Sequence, residues 1–273
     1  MRRRRSGPEG RSRSRPREAL LADQVAIVTG GASGLGEVIA HRLAAEGASV
    51  IVADIDEPGA QSVADAIVAH GQNAIAVRCD VTRRDQVEAM VATAARVGRI
   101  GVLVLSAAVE SITPVIDLSD DDWQHVLDVD LKGPFLCMRA AIPHMVAGGG
   151  GSVIAMGSTL GLIVAPGHPA YCAAKGALVN LCKQAAIEHA PDRVRVNVLA
   201  PSATDTGLFM KFSAMAPDPE ALRAQIAATN PMGRIGTGDE VCDAVVFLAS
   251  EHSRYISGAI VPLDGGLAAR RTV

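Results

Sequence analysis

Aromatic side chains make up only 3% of this 273-residue sequence, with one Trp, two Tyr and four Phe. The interior must therefore be filled by Ala, Val, Leu and Ile, the composition of parallel strands covered by helices on both faces, which favours α/β over a β-sandwich. No run of about 18 apolar residues is present to span a bilayer. The five cysteines, Cys79, Cys137, Cys172, Cys182 and Cys242, are scattered, odd in number and without a C-x-x-C pair. That speaks against a disulfide framework and against a zinc site. His41, His70, His125, His144, His168, His189 and His252 show no metal-ligand spacing, so no metal is expected and surface or helix-capping roles are. Trp123 reads as a packing residue of its helix.

Charge is unevenly spread. The first 18 residues carry eight Arg against Glu9 and Glu18, a net of +6, so the overall −3 leaves −9 for the remainder. An Arg-, Ser-, Gly- and Pro-rich stretch without apolar periodicity cannot offset its chain entropy, and residues 1–18 are expected to be a disordered, solvated tail. The acidic body argues against a nucleic-acid partner. The tail lacks the apolar core of a secretory signal, and the expectation is a soluble cytoplasmic protein without membrane association.

From residue 24 onward short apolar runs alternate with helical patterns. Strands are expected at Val25–Thr29, Ser49–Ala53, Ala74–Val77, Val102–Leu105, Ser152–Met156, Val194–Leu199 and Ile260–Pro262. Between them, apolar spacing near 3.6 predicts helices over Leu35–Glu46, Ala60–His70, Arg84–Val97, Asp121–Val146, Ala170–His189 and Asp239–Ser250. Strand and helix in strict alternation imply right-handed crossovers and a seven-stranded parallel sheet in one domain, residues 19–273. Residues 203–235 are longer and less regular, as a lid over a site would be. The lid's Phe209, Met210, Phe212 and Met215 point either to a partly apolar substrate or to packing of the lid itself.

The first strand runs into Thr29-Gly30-Gly31-Ala32-Ser33-Gly34-Leu35-Gly36 and then a helix. Glycines there let backbone N–H groups approach a pyrophosphate at the positive end of the helix dipole. Taken alone, such a turn is also ordinary loop chemistry. Asp54, ending the second strand, can accept hydrogen bonds from adenosine ribose hydroxyls and would repel a 2′-phosphate. No Lys or Arg lies between Arg42 and Arg78, and Asp56 and Glu57 add negative charge, so NAD is preferred over NADP. Asp80, at the third strand's end, can meet the adenine amine.

Tyr171 and Lys175 stand four residues apart, on one face of a predicted helix. A Tyr can act as a base only if its phenolate is stabilised. At ~4 Å and an effective dielectric of ~20 one ammonium supplies about 4 kcal/mol, so Lys175 could suffice. Ser158, following the fifth strand, could orient the substrate oxygen while Tyr171 exchanges the proton. By itself the Tyr–Lys pair is also what a surface helix carries.

With these motifs in this order, residues 21–267 resemble the short-chain dehydrogenase/reductase family. The resemblance implies a single Rossmann-type doubly wound domain, a homotetramer built through the helices around 121–146 and 170–189, and Ser158, Tyr171 and Lys175 as catalytic set. Cofactor contacts are implied for Gly30, Ser33, Gly34, Leu35, Gly36, Asp54, Ile55, Asp80, Val81, Ser106, Ala107, Tyr171, Lys175, Pro201, Thr204 and Thr206. Arg195-Val-Asn197-Val-Leu-Ala-Pro201 resembles the family's sixth strand, and Asp264-Gly265-Gly266 its C-terminal signature.

Three departures stand out. Leu105-Ser106-Ala107-Ala108 replaces N-N-A-G, Ser202 replaces a Gly after Pro201, and Asp130 stands where the family carries a catalytic Asn. Asp130 is expected to hold a water near Lys175, and at ~8 Å its charge would offset about 2 kcal/mol of phenolate stabilisation. The expected function is NAD-dependent interconversion of a secondary alcohol and a ketone. Alternatives are an NADPH-linked 3-oxoacyl-carrier-protein reductase, which Asp54 opposes, and a nucleotide-binding regulatory or scaffold protein without turnover, which the Asp130 change would permit.

Overall fold

The computed structural model describes residues 19–270; the Arg-rich tail expected to be disordered lies outside the described residues. Seven parallel strands form one sheet in the order β3-β2-β1-β4-β5-β6-β7. They are β1 (Val25–Thr29), β2 (Ser49–Asp54), β3 (Ala74–Arg78), β4 (Ile100–Leu105), β5 (Gly151–Met156), β6 (Val194–Pro201) and β7 (Ile260–Leu263). The helices are α1 (Gly34–Ala45), α2 (Glu57–Ala69), α3 (Arg84–Val97), α4 (Asp120–Leu127), α5 (Gly133–Ala147), α6 (Pro169–His189), α7 (Gly207–Ala214), α8 (Pro219–Thr229) and α9 (Gly238–Ala249). No helix among the described residues is long and apolar enough to cross a membrane.

The pleat sorts each strand's residues between two cores. Val25, Ile27, Ile51, Leu103, Val153 and Val196 pack under α3, α5 and α6. Ala26, Val28, Val50, Val52, Val104 and Ile154 pack under α1 and α9, with α2 on the same face. Every residue of β1 and of β4 is buried, which is why both read as unbroken apolar runs. Strand order reverses between β1 and β4, and the loops leaving their carboxyl ends part to either side, opening a crevice there.

Two segments differ from expectation. The helix expected over Asp121–Val146 is interrupted at Asp128–Lys132 by a π turn, in which the Gly133 N–H donates to the Asp128 carbonyl. The 203–235 region, expected to be irregular, contains α7 and α8. Helix α8 has no buried residue, so it lacks the apolar stripe by which helices are found in sequence. Its start was nevertheless marked, by Asp218 capping the Ala221 N–H at 2.9 Å ahead of Pro219 and Glu220.

Candidate active site

The glycine turn carries β1 into α1. A Cβ on Gly36 would collide with the Gly30 carbonyl oxygen, so the chain can fold back so tightly only with Gly there. Ser33 occupies the N-cap of α1 without a side-chain capping bond, which leaves the first-turn N–H groups facing the crevice for an anion. The Thr29 hydroxyl accepts the backbone N–H groups of Ser106 at 3.1 Å and Ala107 at 3.3 Å. It thereby ties the ends of β1 and β4 together where N-N-A-G is missing.

Asp54 accepts the Ala32 N–H at 3.0 Å on Oδ2 and the Asp56 N–H at 3.0 Å on Oδ1. Each carboxylate oxygen keeps a second lone pair for a ribose hydroxyl. Arg78 is in register with Asp54 across β2 and β3, so both side chains leave the sheet on the same face. This cation, at the margin of the basic-free stretch read from the sequence, stands opposite Asp54. Asp80 is partly engaged, its Oδ1 accepting the Thr82 N–H at 2.9 Å and hydroxyl at 2.7 Å.

A cavity of about 870 Å³ gathers every residue implied as a cofactor contact, from Gly30 to Thr206, together with Ser158. It fits a dinucleotide in volume and in chemistry. Beside the glycine turn, where Gly207 packs against Gly34, the buried Thr206 Oγ1 has no hydrogen-bond partner among the described residues, a polar atom suited to a carboxamide.

Asp130 does not line the cavity; it lies behind Lys175. The π turn turns its side chain fully inward, where Oδ1 accepts the Val109 N–H at 2.8 Å and Oδ2 stands 3.1 Å from Lys175 Nζ. Lys175 also donates to the Met156 carbonyl at 3.0 Å and lies 5.4 Å from the centre of the Tyr171 ring. The expected gap of ~8 Å bridged by water is thus replaced by a direct ion pair, because the π turn brings the carboxylate to the ammonium. Burial pushes the Asp130 carboxyl up, opposed by Lys175 and the Val109 bond. Burial also pulls the Lys175 ammonium down, but Asp130, with Tyr171 and Glu110, more than offsets this and holds its pKa above the ordinary value.

Tyr171, only 8% exposed, opens α6 beside these charges. Burial drives its phenol pKa up; Lys175 and a hydrogen bond with Ser158 pull down, while Asp130 and Glu110 push up further. Lys175 thus acts in the expected direction, against burial and the two carboxylates. Ser158 Oγ additionally accepts the Leu160 N–H at 3.1 Å, which fixes the hydroxyl at the cavity wall.

One feature escaped the sequence reading. His168, expected to cap or to face solvent, makes no capping bond; its Nδ1 stands 2.8 Å from Glu110 Oε1, and both residues line the cavity. The pair joins the loop after β4 to the start of α6, elements 58 residues apart in sequence, and no local motif announces it.

Comparison with known proteins is consistent with this geometry. A family model described as enoyl-(acyl carrier protein) reductase matches residues 30–268. The chain is 40% identical over 251 residues to cis-4-hydroxycyclohexanecarboxylate dehydrogenase of Sinomonas cyclohexanicum, covering 91% of this chain and 98% of that one. It is 36% identical to meso-2,3-butanediol dehydrogenase of Serratia marcescens, over 90% of this chain and 95% of that one. The crystal structure of levodione reductase superposes with a TM-score of 0.88 at 28% identity, covering 92% of this chain and all of the other. The fold, the match across nearly the whole chain and the named relatives together establish that the chain belongs to the short-chain dehydrogenase/reductase family, oxidoreductases acting on CH–OH donors.

Proposed function

We propose that the protein is an NAD-dependent dehydrogenase that interconverts a secondary alcohol and a ketone, with Tyr171 as its acid/base. The observation that carries this reading is the buried cluster of Tyr171, Lys175 and Asp130 behind a cavity of dinucleotide size. When bound, NAD supplies the two-electron acceptor for the carbinol C–H. The Ser158 hydroxyl orients the substrate oxygen, and Tyr171 takes the alcohol proton during oxidation and returns it during reduction. Lys175, kept as an ammonium by Asp130, stabilises the phenolate while the substrate is engaged. Because the free-protein Tyr171 pKa is raised, the base form grows as pH rises, so oxidation gains with pH and reduction is favoured at lower pH.

Asp54 with Asp56 and Glu57 supports NAD over NADP, since the three carboxylates outnumber Arg78 around a 2′-phosphate. Residues 203–235, including α7 and α8, act as the lid. All five cysteines are free, as befits a cytoplasmic protein. Exposed Phe135 on α5 and Ile187 on α6 support assembly as a homotetramer through these helices. The test is reduction of NAD and of NADP in the presence of a panel of secondary alcohols. Turnover with NAD in excess over NADP is expected. Binding of NAD without turnover of any alcohol would overturn the enzymatic reading.

A further inference from the structure

Glu110 and His168 are ionisable groups that proton transfer at Tyr171 does not use. Their side chains are only 15% and 17% exposed, and they share the cavity wall with Ile112, Ile163 and Ala165. Burial pushes the Glu110 carboxyl up, with His168 opposing it. Placing such a pair against an apolar wall carries a desolvation cost that further hydrogen bonds must offset. Among the described residues neither side chain has any other hydrogen-bond partner, so Glu110 Oε2 and His168 Nε2 are left for whatever occupies the cavity. His168 precedes Tyr171 by three residues, one turn along the start of α6, and both line the same cavity as Glu110.

We infer that Glu110 and His168 are a specificity-determining pair that receives a second, uncharged hydroxyl of the substrate, so that the site takes diols in preference to simple alcohols and to hydroxy acids. The inference rests on the oxidoreductase reading above. A hydroxyl suits the pair because it both donates and accepts: its proton goes to Glu110 Oε2 while its oxygen accepts the Nε2–H of His168, with the ring protonated at both nitrogens and Nδ1–H held by Glu110 Oε1. A carboxylate in the same place would stand against the Glu110 carboxylate. A purely apolar group would leave both polar atoms unmet.

The test is kcat/KM for NAD reduction with cyclohexanol, with 1,2-, 1,3- and 1,4-cyclohexanediol and with 3-hydroxycyclohexanecarboxylate, by the wild type and by Glu110→Leu. The ring holds the second hydroxyl at three defined separations, so one series samples the reach of the pair. At least one diol should exceed cyclohexanol by about tenfold to a hundredfold, the size of a hydrogen bond to a charged group, and the hydroxy acid should fall below the diols. In Glu110→Leu the diol-to-cyclohexanol ratio should collapse to within about threefold. Each ratio is taken within one preparation, so a loss of folded protein cancels. A wild type that prefers no diol, a preferred hydroxy acid, or a Glu110→Leu ratio equal to that of the wild type overturns the pair's role and leaves the dehydrogenase reading intact. Absence of turnover with every member overturns both.

Discussion

The nucleotide-facing half of the cavity and its catalytic half are built in opposite ways. The first is contiguous: the turn from Thr29 to Gly36 and the strand end at Asp54 act through backbone N–H groups, and each contact stands almost alone. The second collects Val109, Asp130, Met156, Ser158, Tyr171 and Lys175 from separate elements around charges that water does not reach. A change in the first half should therefore alter one contact, whereas a change in the second should propagate through coupled ionisations.

The largest effect belongs to the coupled half. Tyr171→Phe removes the group proposed to exchange the substrate proton, and kcat should fall by about 10²–10⁴ in steady-state assays. Wild-type turnover in this variant would remove the basis of the comparison. Asp130→Ala leaves Lys175 buried beside its Met156 carbonyl partner without a counter-charge, and stability should drop by on the order of 3 kcal/mol in urea titrations. An unchanged midpoint would show that the ion pair contributes nothing net.

On the contiguous half a smaller and separable change is expected. Asp54→Ala should move the kcat/KM ratio of NAD to NADP towards NADP by about tenfold, close to the ~1 kcal/mol of one charge pair at ~4 Å in water. Arg78→Ala should move it the other way, and a shift in the pH profile of either variant would show the two halves to be coupled after all. The subtlest test is Asp130→Asn, which keeps an acceptor for Val109 but removes the negative charge that raises the Tyr171 pKa. The base form should then persist to lower pH, and the rising limb of kcat for alcohol oxidation should move in that direction. A limb that stays in place would mean that Asp130 does not tune Tyr171.

The same contrast governs what could be read before folding. Strand positions, glycine turn and Asp54 were legible because short unbroken apolar runs and short-range spacing are local properties of the chain. The distance from Asp130 to Lys175 was not, since it depends on a π turn that no residue spacing announces, and 45 residues separate the two. The Glu110–His168 pair stayed hidden for a related reason: a Glu in a loop and a His before a Pro look solvent-facing until two distant elements close over them. Helix α8 escaped because a helix that buries no residue shows little periodicity, although Asp218 and Pro219 marked its start.

The π turn at Asp128–Lys132 also acts as a phase shifter. An α-helix advances about 100° per residue, so removing one residue there would rotate all of α5 by about that angle. Leu136, Met138, Ile142 and Met145, now inside, would swing off the sheet, and the carboxylate would leave its ammonium in the same stroke. Packing of the helix and polarity of the reaction centre are thereby set by a single surplus residue, and neither can drift without the other.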